Sequence, residues 1–400
     1  MSSLGLLSHL KVLDLSQHVA GSYCTRLLAG FGAKIIKVEQ PKVGSALRHQ
    51  GPFYHNQPGL ERSLLFHWLS GDKQSITLNL EQARSMELLQ PLIAEADILL
   101  EDFAPGMIEQ LNLGYKALQH INPRLVMVSI SNFGQSGPRK DWKATEIVLY
   151  AMSGGMSLTG DKGRPPLNTG TLISQYTAGM HAYLAALIAY YRCQQNGQGE
   201  WIDVSIQESA LENVEVKLAE ALQLNQAASR NGDQHILVPW ECCPAQDGYA
   251  AIVGGPMRQW QSGAAMFDQP DLLEPPLNTI TGRIAHRQEI QSRLKALLAT
   301  QPKREIYHQG QAGGLAFGYL ATLAEVFHSP QHESREFFKP TEEHPEVGTL
   351  TTCNAPFHSS HAGWRTGRAP LLGEHNTEIY GDHLGHTAEV IAQLRQEGVI

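Results

Sequence analysis

At 400 residues and 42% hydrophobic content, the chain is long enough for two domains with sizeable cores. A formal net charge of −8 argues against a nucleic-acid binder, which would carry a basic face. Five scattered cysteines (Cys24, Cys193, Cys242, Cys243, Cys353) fit reduced thiols better than a disulfide framework. The opening MSSLGLLSHLKVLDLS has no basic segment followed by a long apolar run, so no signal peptide is expected, and the expected setting is soluble and cytoplasmic.

In chain order, residues 11–15 (KVLDL) read as a buried strand, 22–30 as a helix and 33–38 (AKIIKV) as a second strand. After a Gly/Pro-marked stretch to about residue 71, strands are expected at 75–80, 97–100 and 125–130. Helices at 81–96 and 116–120 alternate with them. This strand–helix–strand alternation predicts a doubly wound α/β domain. A Pro-Pro turn and a small-residue stretch (RPPLNTGTLISQYTAGMH, 164–181) lead into a helix expected over 178–195. The stretch reads as a loop delivering polar groups to a helix N-terminus, where unpaired amides and the dipole favour anions. A strand at 201–206 and a long helix at 207–222 follow, then a polar linker at 225–232. Beyond it, a strand near 248–253 and helices at 287–299 and 303–309 suggest a smaller domain. The tail ends in a helix at 387–397. The expected division is 1–224 for the large domain, 225–335 for the small one, and 336–400 as the return to the large one.

Few local patterns carry chemistry. Gly134-Gln-Ser-Gly-Pro138 misses a nucleophile elbow by one position, and Gly154-Gly155 fits no dinucleotide fingerprint. His328 and His332 have metal-ligand spacing, but Pro330 interrupts the helix that would align them, and His358/His361 are equally unsupported, so no metal site is expected. Cys242-Cys243 read as two buried thiols. Lys143 and Glu146, three apart, read either as a solvated ion pair or as a pair beside a ligand.

A set of longer motifs is more informative. These are KVLDLSQHVAGSYCTRLLAGFGAKIIKVEQP (11–41), DKQSITLNL (72–80), ADILLEDFAPG (96–106), GYKALQHINPRLV (114–126), SNFGQSGP (131–138), GQGEWIDVSIQES (197–209) and RAPLLGEHNTEIY (368–380). In this order and over nearly the whole length, they resemble the family III CoA-transferases, which include formyl-CoA transferase, carnitine CoA-transferase and α-methylacyl-CoA racemase. The resemblance implies a Rossmann-like large domain built from both chain ends and a smaller α+β domain. It also implies two chains interlocked as linked rings, either a homodimer or a heterodimer with a paralogue.

The resemblance further implies coenzyme A or an acyl-CoA as substrate, a carboxylate as acceptor, and no metal. In the transferases an aspartate attacks the thioester and becomes an acyl carrier, with nearby amides stabilising each oxyanion. That aspartate stands four residues before the Gly of the Gly179-Met180-His181 match, where this chain has Gln175. The racemase branch uses a His-Asp pair aligning with Thr145-Glu146 and an aspartate again aligning with Gln175. Val19, Ala20, Asp102, Phe103 and Lys143 match CoA-facing positions. Gln40 and Gln110 stand where formyl-CoA transferase has arginines near the CoA phosphates, so Arg26, Arg48 or Lys73 are the candidates to compensate. Three functions stay open. One is an acyl-CoA:carboxylate CoA-transferase in which Glu146 takes over from the missing aspartate. Another is a non-catalytic acyl-CoA-binding subunit paired with an Asp-bearing paralogue. The last is a CoA-dependent lyase, isomerase or condensing enzyme with Glu146 as base.

Overall fold

The structure, a computed structural model, describes residues 5–226, 230, 232, 235–361 and 363–400. The chain forms two compact units. The first comprises Met1–Gly155, Asn168–Ala219 and Glu333–Ile400; the second comprises Met156–Leu167 and Glu220–His332. The segment 156–167, expected in the large domain, therefore belongs to the second unit. Residues 227–229 and 231 of the expected linker at 225–232 lie outside the described residues.

The first unit is built on six strands: β1 (Lys11–Asp14), β2 (Lys34–Glu39), β3 (Gln74–Thr77), β4 (Ile98–Glu101), β5 (Val126–Ser131) and β6 (Trp201–Ser205). They form one parallel sheet in the order β3-β2-β1-β4-β5-β6. The central strands are apolar at successive positions because both faces are covered. Val12, Ile98, Leu100, Val126 and Val128 enter one core, and Leu13, Leu99 and Met127 enter the other.

Crossover segments contain helices α1 (Val19–Gly30), α2 (Leu64–Ser70), α3 (Ser85–Glu95), α4 (Met107–Gln110), α5 (Tyr115–Ile121), α6 (Glu146–Met152), α7 (Gly155–Leu158) and α8 (Ile173–Asn196). α8 buries Ala178, Ala182, Ala186, Ala189 and Cys193 at helical spacing against α1 and the sheet. At Gly179 the approach leaves no room for a side chain, since a Cβ there would lie 2.6 Å from the Ala20 carbonyl oxygen.

Two helices differ from expectation, one for a tertiary and one for a local reason. α3 begins at Ser85 because the preceding turn is tied to the chain's last residues: the Asn79 amide donates to the Val399 carbonyl at 2.7 Å. The helix expected over 207–222 is interrupted by a 3₁₀ turn at Glu212–Val214, between Ile206–Leu211 and Glu215–Leu224. There Asn213 donates its side-chain amide to the Ala210 carbonyl at 3.2 Å, competing with the helical ladder. The return segment covers the β3 edge. Asn376 makes two hydrogen bonds with Thr77, and the Tyr380 hydroxyl donates to the Thr77 carbonyl at 2.9 Å.

The second unit holds an antiparallel hairpin, β7 (Trp240–Ala245) and β8 (Gly248–Val253), extended by the short β9 (Gly318–Tyr319). Helices Met257–Met266, Arg287–Leu298 and Lys303–Ala312 contribute Trp260, Leu294, Leu298 and Ile306 to its separate core. Cys242 and Cys243 lie on β7, where Cys243 is buried and Cys242 partly buried. Among the described residues no group of three or more His, Cys, Asp or Glu is arranged to hold a metal ion, and no helix is long and apolar enough to cross a membrane.

Candidate functional site

Strand order reverses between β1 and β4, so the segments leaving their carboxyl ends diverge to opposite sides of the sheet. A crevice opens at such a switch point in doubly wound sheets. Here it is a cleft of 740 Å³ within the first unit. One wall is the turn from β1 into α1, another the Asp102–Pro105 turn after β4. The far side is built by residues 140–146 and the start of α8.

Buried charges fix the turn after β1. Asp14 accepts from the Ser16 amide at 2.9 Å, the Thr25 hydroxyl at 2.7 Å and Lys73 Nζ at 3.1 Å. Lys73 also donates to Thr25 Oγ1 and to the Ser22 carbonyl, while Lys37 Nζ donates to the Ser16 carbonyl at 2.7 Å. Burial raises the Asp14 carboxyl, but Lys37 and Lys73 overcome this and hold it well below the usual carboxylate range. Burial also pulls Lys73 down to about 8, against the attraction of Asp14. Asp102 completes the support. Its carboxylate accepts from the Gln17 amide at 2.6 Å and the His18 amide at 3.0 Å, at the entry to α1. These are donors that a helix start leaves unpaired, and no local side chain caps α1. Beneath the turn after β4, Glu101 Oε2 accepts from the Phe103 amide at 2.8 Å. Burial, partly offset by Ser129 and by that amide, pushes Glu101 up to about 7.

On the far side α8 begins at Ile173, earlier than expected, which places Gln175 in its first turn rather than in the loop before it. Leu172 at the N-cap provides no side-chain acceptor. Glu146, the first residue of α6, supplies one: Oε1 accepts from the Ser174 amide at 2.8 Å and Oε2 from the Gln175 amide at 3.4 Å. A carboxylate there satisfies two orphan donors and faces the positive end of a 24-residue helix.

Seven of the sequence-selected residues thus line one cleft: Val19, Ala20, Asp102, Phe103, Lys143, Glu146 and Gln175. Arg48 and Lys73, expected to face CoA, do not line it; both side chains are buried and engaged within the protein. The Arg48 guanidinium is fully buried. It is bidentate to Glu39 at 2.7 and 2.9 Å, paired with Glu61 at 2.6 Å, bonded to the Pro370 carbonyl and stacked on Phe66. Lys73 is spent on Asp14, Thr25 and Ser22. Arg26 is also buried, 3.6 Å from Asp72 and over Trp364. Desolvating a charge is tolerable only with such partners, and side chains so engaged are not available to an incoming ligand.

Sequence reasoning did not single out His18, Lys140 and Trp142, which also line the cleft. Trp142 is 54% exposed, with the Arg139 guanidinium over its ring, and Lys140 and Lys143 are exposed on either side of it. The pattern Arg139-Lys-Asp-Trp-Lys143 was visible as cations flanking an aromatic, but nothing local placed it at the sheet's switch point. The far side of the cleft can therefore offer cations and an aromatic surface next to a carboxylate and a carboxamide at a helix start.

Comparison with known proteins places the chain in a family and matches its fold. Residues 7–376 match the family described as CoA-transferase family III. Formyl-CoA:oxalate CoA-transferase of Streptomyces avermitilis is 32% identical, with 98% of this chain and 99% of that protein aligned. Succinyl-CoA–D-citramalate CoA-transferase of Chloroflexus aurantiacus is 31% identical, with 98% of each covered. The crystal structure of a CAIB/BAIF family protein from Brucella suis superposes with a TM-score of 0.85 at 26% identity, over 94% of this chain and 99% of that one.

Proposed function

The chain belongs to CoA-transferase family III, and we propose on that basis that its 740 Å³ cleft binds an acyl-CoA and transfers CoA to a carboxylate, with Glu146 as the acyl-carrying group. The observation that carries this reading is the meeting of the Glu146 carboxylate with the α8 amides beside Gln175, at the position of the family's aspartate. Glu146 Oε2, the more loosely held oxygen, attacks the thioester carbonyl carbon. The C–S bond breaks, and CoA departs as thiolate, leaving an acyl-glutamyl anhydride. The thiolate then attacks the glutamyl carbonyl carbon, releasing the donor's carboxylate and forming a glutamyl-CoA thioester. The acceptor carboxylate reverses the two steps and leaves as the new acyl-CoA. Through each tetrahedral state at the glutamyl carbon, Oε1 stays on the Ser174 amide, which stabilises the developing oxyanion. The Gln175 carboxamide is not ionised; it donates to and accepts from the bound thioester.

Incubation with a panel of acyl-CoAs, followed by hydroxylamine trapping and intact-mass measurement, tests the reading. A CoA adduct mapping to Glu146 is expected, and an unchanged mass across the panel overturns it. A second reading is a CoA-binding subunit that serves an Asp-bearing paralogue, without chemistry of its own. It is favoured by Gln175 and by the engagement of both Glu146 oxygens with amides. Activity appearing only on mixing the two chains would select it. A partner chain of this fold also suits α8, whose Met180, Leu184, Ile188 and Tyr191 form a stripe at helical spacing, each half or more exposed.

A further inference from the structure

We propose that His18, oriented by Asp102, is the anion contact of the cleft: as imidazolium it donates its Nε2–H to an anionic group of the bound ligand, a CoA phosphate or the acceptor's carboxylate. The inference rests on the acyl-CoA reading of the cleft. Its geometric basis is independent of it.

His18 is the residue before the first turn of α1, and its backbone amide is held by Asp102 Oδ2 at 3.0 Å. The ring nitrogen Nδ1 lies 3.4 Å from Asp102 Oδ1. One carboxylate therefore fixes both the main chain and the ring of the same residue. With Nδ1–H directed at Asp102, Nε2 is on the opposite edge of an imidazole that is 58% exposed and lines the cleft. This is a carboxylate–imidazole pair in which the carboxylate sets ring orientation and stabilises the charged ring.

The charged groups facing His18 are few. Asp102 is the nearest. Lys37, on β2, opposes protonation but is tied to the Ser16 carbonyl. Lys140, Asp141, Lys143 and Glu146 line the same cleft from the far side. The hydrogen bond to Asp102 outweighs partial burial and the Lys37 charge and raises the pKa of His18 above the ordinary histidine value. An anion arriving at Nε2 adds to that effect. Ligand binding and proton uptake are then coupled, and affinity falls as pH rises through the raised pKa.

The test is an NMR titration of the imidazole signal that disappears in His18→Gln, followed by calorimetry from pH 5.5 to 8.5. The calorimetric probes are CoA, 3′-dephospho-CoA and succinate. In the free protein the signal is expected to titrate above the ordinary histidine range, and to shift higher with CoA. The CoA Kd is expected to weaken about tenfold across the titration in the wild type and to lose this dependence in His18→Gln. Dependence with CoA but not dephospho-CoA assigns the 3′-phosphate. Dependence with both CoA forms assigns the pyrophosphate, and dependence with succinate assigns the acceptor's carboxylate. Saturable CoA binding with the same pH profile in wild type and His18→Gln overturns the inference while leaving the acyl-CoA reading intact. Absence of CoA binding by the folded protein at every pH overturns both.

Discussion

Glu146 caps α8 and is proposed to carry an acyl group, and two substitutions separate the two tasks. Glu146→Ala removes the acceptors of the Ser174 amide at 2.8 Å and the Gln175 amide at 3.4 Å. A hydrogen bond to a charged acceptor contributes about 1.5–3 kcal/mol, and loss of an N-cap costs about 0.5–2 kcal/mol. Only one of the two contacts is short and the side chain is partly exposed, so the expected cost is about 2 kcal/mol. Glu146→Gln keeps an acceptor oxygen for Ser174 and loses the long contact to the Gln175 amide and the charge at the helix start, the latter about 0.3–1 kcal/mol. For a unit of this size the thermal midpoint falls by about 2–4 °C per kcal/mol, which gives about 4–8 °C for Ala and about 1–4 °C for Gln. Thermal unfolding reads the difference. Amide hydrogen exchange localises it, with protection lost at Ser174 and Gln175 in the Ala variant and kept at Ser174 in the Gln variant. Both variants should lose the CoA adduct, because neither carries a nucleophilic carboxylate. An Ala variant with the wild-type midpoint and unchanged protection at the two amides would refute the capping argument. An adduct persisting in Glu146→Gln would refute the covalent role.

Three other outcomes are expected. Gln175→Asp restores an ionised carboxylate in the first turn of α8, and peptide mapping after incubation with an acyl-CoA should find an adduct at position 175; no adduct there would mean that more of the pocket than one residue has changed. Arg48→Met leaves Glu39 and its ion-pair network without their cation and should lower unfolding stability by about 3–5 kcal/mol in urea melts. Its CoA Kd should stay within about twofold, and a large loss of affinity in a folded variant would reinstate Arg48 as a ligand contact. Glu101 binds a proton more tightly in the fold, at about 7, than when unfolded, so stability falls as pH rises from about 4.5 to 7 and is flat above. Glu101→Gln should therefore stabilise the protein at pH 8, on the order of 2 kcal/mol, and have little effect at pH 4. Equal shifts at both pH values would contradict the buried, raised carboxyl.

The alternation of strands and helices through residue 130 was legible because each central strand is apolar on both faces, a pattern that only a covered parallel sheet requires. The order of the motifs pointed to the family that the comparison shows. The boundaries of α3 and α8 were not legible. The first is set by the turn's hydrogen bond to Val399 and the second by Glu146 supplying the cap that Leu172 lacks. Both partners are remote in sequence, and helix-end signals are local.

The roles of the charged residues divide in the same way. Arg48, Lys73 and Lys143 are equivalent in the sequence, each a cation in a polar stretch. Only the tertiary structure buries the first two among Glu39, Glu61 and Asp14 and leaves the third exposed at the cleft. His18 and Asp102 lie 84 residues apart, joined across the switch point because β1 and β4 are neighbours in the sheet. Residue type and periodicity determined the sheet, and the resemblance of the ordered motifs pointed to the family and to the place where chemistry is expected. Which charges stabilise the fold and which remain for a ligand depended on long-range packing, because burial, and not charge itself, decides whether an ionised side chain must be paired within the protein.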